Sequence, residues 1–172
     1  MEIEIPSGVQ VDINGDVVTV KGSLGTNTRR FNDALVSVAK EGGKVVIKPA
    51  AHKVLKRKAA TTEIAFAKEI RNDIAGVGTY YEKNMQVVFA HFPASVEVKG
   101  GTVLIKNLIG ERAPRVAKTV GGTKVEVKGN NIRLYGTSLD DVSQTAANMR
   151  AACRIRRKDS RVFQDGVYFA VE

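Results

Sequence analysis

The chain contains its own sequence twice. Residues 5–25, IPSGVQVDINGDVVTVKGSLG, return about 86 residues later as residues 92–110, FPASVEVKGGTVLIKNLIG. Pro6 matches Pro93, Val9 and Val11 match Val96 and Val98, and Val18, Val20 and Lys21 match Val103, Ile105 and Lys106, with Gly25 matching Gly110. VSVAKEGGKVVIK (36–48) is answered by VEVKGNNIRLY (125–135), and AKEIR (67–71) by AANMR (146–150). That period is too long for a stacked solenoid and is the size of a small domain. Two tandem copies of one fold are therefore expected, divided as 1–79 and 80–172.

Local patterns give the content of each copy. Val9, Val11 and Ile13 alternate with polar residues, Asn14-Gly15 offers the positive φ values of a tight hairpin, and Val18 and Val20 return. Gly42-Gly43, Gly100-Gly101 and Gly129-Asn130-Asn131 mark three further hairpins. Hairpins this close imply antiparallel sheets, because a parallel pair needs a long crossover. A helix is predicted over about 53–75, with Leu55, Ala59, Phe66, Ile70 and Ile74 on one face and Gly76-Val77-Gly78 as its stop. A second helix opens at Ser138, with Asp141 three residues on as a weak capping box, and carries Leu139, Val142, Ala146, Met149 and Cys153 as an apolar stripe. YYEKNMQVVFAHF (80–92) reads as a strand leading into the second copy without a flexible linker. The expected class is α+β: two similar domains, each an antiparallel β-sheet packed against one α-helix.

Charge narrows the partners. Lys and Arg number 27 against 18 Asp and Glu, a net charge of +9 and a pI near 9.8, which favours polyanions such as nucleic acid. Residues 1–80 carry 12 basic and 9 acidic side chains, and residues 81–172 carry 15 and 9, so the second copy is the stronger candidate. The single cysteine, Cys153, excludes an internal disulfide framework and, lying on the apolar stripe, reads as a buried structural thiol. The start MEIEIPSG lacks the layout of a signal peptide, and no apolar run approaches the roughly 18–20 residues of a membrane helix. A soluble intracellular protein with no membrane association and no cofactor is expected.

The densest cationic feature is RAACRIRRKDSR (150–161), with Arg150, Arg154, Arg156, Arg157, Lys158 and Arg161 against Asp159 alone. One or two cations would complement a helix C-terminus. Six exceed that need, and arginine's planar fork grips phosphate oxygens in pairs. The loop GERAPR (110–115), continued by Lys118, would project Arg112, Arg115 and Lys118 from a sheet. A third group, Lys53, Lys56, Arg57 and Lys58, opens the first helix, where positive charge opposes the dipole and must be offset by solvent or an anion.

Enzyme chemistry finds no foothold. His52 and His91 are isolated from carboxylates and from each other, and Asp140-Asp141 is explained by the first turn of a helix. GSLG (22–25) follows a strand, whereas the G-x-x-G loop of a KH domain joins two helices. Aromatic residues make up 6% with no Trp, so stacking along many single-stranded bases is disfavoured against structured RNA read through phosphates, sugars and shape.

The string SLDDVSQTAANMRAACRIRRKDSRVFQDGVYF (138–169) closely resembles the C-terminal signature of the large-subunit ribosomal protein six family, whose eukaryotic member is numbered nine. HFPASVEV (91–98), IKNLIGERAPR (105–115), VEVKGNNIRLYGT (125–137) and, upstream, IPSGVQVDI and VKGSLG extend the resemblance over nearly the whole chain. The ending RVFQDG (161–166) looks like the archaeal and eukaryotic branch. Asp141 and Ser143 stand where members often carry Glu and Gly. The resemblance implies a structural constituent of the large subunit in the cytoplasm, with no catalysis. Its partners would be large-subunit rRNA, neighbouring large-subunit proteins and nearby translation factors. Its place would be near the base of the lateral stalk, close to the sarcin–ricin loop. It implies rRNA binding by Arg112, Arg115 and Lys118, by Gln144 and Asn148 on the helix, and by Arg154, Arg156, Arg157, Lys158 and Arg161. A free-standing double-domain RNA-binding regulator or RNA chaperone is the rival reading, since it predicts the same basic patch.

Overall fold

The computed structural model describes residues 1–50, 56–159 and 161–170. His52, Lys53 and Leu55, expected at the start of the first helix, lie outside the described residues. The chain separates into two compact units, Met1–Tyr80 and Tyr81–Glu172.

The first unit runs β1 (Glu2–Glu4), β2 (Gln10–Asn14), β3 (Val17–Lys21), β4 (Thr26–Arg30), β5 (Val36–Glu41), β6 (Lys44–Pro49) and α1 (Lys56–Gly78). Its strands form two antiparallel three-stranded sheets, ordered β1-β6-β5 and β2-β3-β4. Inward residues of both sheets, among them Val11, Val18, Val20, Val45 and Ile47, close on Phe66, Ala67, Ile70, Ile74 and Val77 of α1.

The second unit repeats that order strand for strand: β7 (Tyr81–Val88), β8 (Ser95–Lys99), β9 (Thr102–Lys106), β10 (Arg115–Lys118), β11 (Lys124–Lys128), β12 (Asn131–Gly136) and α2 (Leu139–Ala152). It then adds β13 (Gly166–Phe169), which pairs with the outer edge of β7 from Gly166 opposite Val88 to Phe169 opposite Met85. The sheets are β10-β9-β8 and β11-β12-β7-β13. Their core gathers Met85, Val103, Ile105, Ile132 and Leu134 against Val142, Ala146, Met149 and Cys153. The sheet-and-helix duplication thus holds, with the strands of each copy divided between two sheets.

Three local expectations need correcting. Gln10 pairs with Lys21 and Ser95 with Lys106, so the hairpins superpose Val11 on Val96 and Ile13 on Val98. The sequence match had slipped this strand by two residues, which keeps every side chain on its face and so leaves the hydrophobic pattern unchanged. The first hairpin turns at Gly15-Asp16, one residue later than expected, with Gly15 at φ 59°. The first helix also runs past Gly76 to Gly78. Val77, fully buried, holds that last turn in the core, and the Leu24 N–H donates to its carbonyl at 3.1 Å. Gly22 makes the approach possible: a Cβ there would stand 2.6 Å from Val77 Cγ2.

Helix α2 begins as its sequence indicates, with Ser138 Oγ accepting the Asp141 N–H at 3.3 Å and Asp140 and Asp141 in the first turn. Among the described residues, no helix is long and apolar enough to cross a membrane.

Candidate nucleic-acid interface

The two units tie their sheets to their helices at the same place with different chemistry. In the first, Arg29 of β4 grips the buried Asp73 of α1 through Nε at 2.7 Å and Nη2 at 3.0 Å, and reaches Glu69 through Nη1 at 3.1 Å. Asn27 donates to the same Asp73 carboxylate at 3.3 Å. In the second, the strand registers set Ala117 at the position of Arg29 and Arg115 at that of Asn27. The helix match sets Ala152 at the position of Asp73.

Arg115 performs the second unit's tie. Its Nε and Nη2 bind both oxygens of Glu111, at 2.7 and 2.6 Å, and its Nη1 donates to the carbonyls of Ala152 at 2.9 Å and Arg154 at 3.0 Å. Those carbonyls belong to the end of α2 and the residue where the chain leaves it, and the last turn of a helix has no donors of its own to satisfy them. The Arg115 hydrogen bond holds the Glu111 carboxyl below the usual carboxylate range. Arg115 was expected to project from a loop. It instead begins β10, half-buried, and divides its donors between Glu111 and the departure point of the basic segment.

Around that point the remaining candidates assemble. Lys118 ends β10 exposed, and its carbonyl accepts from Asn148 Nδ2 at 3.0 Å, while Gln144 Nε2 donates to Asn148 Oδ1 at 2.9 Å. Asn148 therefore joins α2 to the end of β10, with Gln144 outermost. Arg112 is exposed in the turn between the helical turn Leu108–Gly110 and β10.

Arg154, Arg156, Arg157, Lys158 and Arg161 are all exposed. Arg157 sits at φ 62°, a left-handed conformation that costs a non-glycine residue roughly 1–2 kcal/mol. Asp159 organises the return: its carbonyl accepts from Val162 and Phe163, and its carboxylate from the Arg161 N–H at 2.9 Å and Nε at 3.3 Å. Lys158 Nζ lies 4.3 Å from the centre of the Phe163 ring. Phe163, half-buried, is thus one wall of the basic segment as well as an anchor for it. In the first unit, Lys56, Arg57 and Lys58 occupy the exposed first turn of α1, while Lys53 lies outside the described residues.

Three features were not foreseen from the residues. His91, read as isolated, has its Nδ1 3.9 Å from Asp165 and stacks on Phe163 at a ring separation of 5.7 Å. Asp165 is buried at 1% exposure, an acid placed under a basic segment. Its Oδ1 accepts the Ala90 N–H at 2.8 Å, and its Oδ2 is buried with no hydrogen-bond partner among the described residues. Arg150 lies 5.8 Å over the Phe169 ring, which Lys83 approaches at 5.6 Å. Only the acid-in-a-basic-run pattern of 150–165 could have signalled the second of these. Cys153 is buried as expected, and that burial pushes its thiol up. Among the described residues, no group of three or more His, Cys, Asp or Glu could hold a metal ion.

A family model described as Ribosomal protein L6 matches residues 5–79 and again residues 92–166, once in each unit. The chain belongs to the ribosomal protein L6 family. This is a structural, non-enzymatic family. Similar to this chain are three archaeal proteins, each named large ribosomal subunit protein uL6. The one from Methanocella arvoryzae is 45% identical over 168 residues, covering 97% of this chain and 93% of the relative. That from Methanosarcina mazei is 42% identical over 166 residues, at 96% and 93% coverage. That from Methanobrevibacter smithii is 44% identical over 168 residues, at 97% and 92%.

Proposed function

We propose that the chain is a structural constituent of the large ribosomal subunit that binds 23S-type rRNA mainly through its second unit. It works in the cytoplasm, near the base of the lateral stalk and the sarcin–ricin loop, beside neighbouring large-subunit proteins. It supports the surface where translation factors dock by fixing the rRNA rather than by chemistry of its own. The observation that carries this reading is the exposed set Arg154, Arg156, Arg157, Lys158 and Arg161, with Arg154 held at its carbonyl by Arg115 and Arg161 bound by Asp159. Arg156, Arg157 and Lys158 are the proposed phosphate contacts, with Arg154, Arg161, Arg112 and Lys118 at the margins. Gln144 and Asn148 face sugars across a minor groove, where 2′-hydroxyls offer both donors and acceptors. Arg115 contributes by position.

Replacing Arg156 and Arg157 together with Ala tests this on transcribed large-subunit rRNA. Affinity should fall and the slope of log K against log salt should flatten by about one for each lost phosphate contact. Unchanged affinity and slope would remove these arginines from the interface.

A further inference from the structure

Between the end of α2, the basic segment and β13 lies a groove of about 580 Å3, and the reading above uses only Arg154 and Lys158 of its lining. Its lining includes three cations, Arg150, Arg154 and Lys158, and the rings that Lys158 and Arg150 cover, Phe163 and Phe169. Asp165, almost wholly buried, also lines it, and the Oδ2 of that carboxylate has no hydrogen-bond partner among the described residues. An anion alone does not suit this lining, because it would meet the Asp165 charge. An apolar ligand alone would leave that oxygen unpaired, a costly outcome for a buried acceptor. The lining asks for a planar group that stacks on guanidinium and aromatic faces, carries a negative charge at one end and donates N–H at the other.

A nucleotide has that layout, and the groove's volume falls in the roughly 300–1,000 Å3 range of small-ligand clefts. Among the bases, guanine presents adjacent N1–H and N2–H donors on its Watson–Crick edge. Adenine and cytosine set a ring-nitrogen acceptor beside their amine, and uracil flanks its single N–H with two carbonyls, so each would bring an acceptor against the carboxylate. We propose that this groove takes one unstacked guanosine of the bound RNA, its base against Arg150 and the ring of Phe169, its phosphate on Arg154 and Lys158, and its N–H edge on Asp165. The subsite rests on the rRNA-binding reading but adds base recognition to an interface otherwise made of phosphate and sugar contacts, which carry no sequence information directly.

The test uses the full chain in solution with the four ribonucleoside 5′-monophosphates as probes, followed by amide NMR. GMP should shift the resonances of Cys153 and Gly166–Val167 at several-fold lower concentration than AMP, CMP or UMP, which share its phosphate. Asp165→Asn keeps an oxygen for the Ala90 N–H and turns the free acceptor into a donor. It should abolish the GMP preference, while the slope of rRNA binding against salt stays as in the unaltered chain. Phe169→Ala, which leaves Asp165 in place, should weaken all four nucleotides together. Equal response to the four nucleotides, or none in the groove, overturns the guanosine subsite. Protection of the groove only when a neighbouring ribosomal protein is present overturns it too, making the groove a protein-docking surface. Loss of rRNA binding by the unaltered chain is a different result, for it strikes the function and not the groove.

Discussion

In the first unit the strand-to-helix tie is a charge held against a charge, Arg29 on the buried Asp73, with Asn27 beside it. In the second, the corresponding sites hold Ala117 and Ala152, and Arg115 binds backbone carbonyls instead. The first unit neutralises its arginine internally and carries α1 on to Gly78. The second stops its helix at Ala152, satisfies the freed carbonyls from the neighbouring strand, and releases a run of exposed cations before β13 brings the chain back to β7. One architecture is therefore tied by a charge pair in the first copy and ends in exposed cations in the second.

The largest expected effect separates the two ties by stability. Arg29→Ala leaves Asp73 buried without its main partner and should cost about 3–5 kcal/mol in urea unfolding. Adding Asp73→Ala reproduces the alanine pair of the second unit and should recover most of that loss. If the double variant were no better than the single one, the two junctions would not be interchangeable solutions.

Arg115→Ala is expected to cost less, about 1–3 kcal/mol, because the carbonyls it leaves can turn to water. Its signature should be elsewhere: faster amide exchange across residues 153–159 and several-fold weaker rRNA binding, with the salt slope unaltered. A slope that dropped by one would make Arg115 a phosphate contact after all.

The smallest effect is a pH dependence. The Glu111 carboxyl is held low by Arg115, so its contribution is complete above the unfolded carboxylate's pKa, about 4.3, and is lost as pH falls through the depressed value. Glu111→Gln should remove that acid-side loss from a plot of thermal midpoint against pH and leave the neutral region nearly unchanged, since Glu111 itself is exposed. A sharper neutral-pH penalty would show that Glu111 anchors the junction more than its exposure suggests.

Most of the architecture was legible because period and turn chemistry are local. Alternating valines around Gly-rich turns give hairpins, and the stripe Val142, Ala146, Met149 faces a core wherever the sheet lies. Division of each copy into two sheets was not legible, since alternation tells which face is buried but not which strands share hydrogen bonds. Helix α1 outran its expected stop because Val77 is buried and Gly22 has no side chain to oppose it, a contact between residues 55 positions apart. For the candidate interface, charge density singles out Arg154, Arg156, Arg157, Lys158 and Arg161, and the structure leaves them exposed. Charge density could not separate Arg115 from its neighbours, because the partners that occupy it are carbonyls, and every residue has one. Asp165 escaped notice for a related reason: its burial depends on β13 returning to β7.

The central claim is that the copies diverged into a closed unit and an RNA-holding one. It is tested most directly within the full chain by neutralising three cations in each: Lys56, Arg57 and Lys58 to Ala in one variant, Arg156, Arg157 and Lys158 to Ala in the other. Binding to transcribed large-subunit rRNA is then followed against salt. The second variant should lose affinity and flatten the slope by about three, and the first should match the unaltered chain. Equal losses in the two would contradict the division.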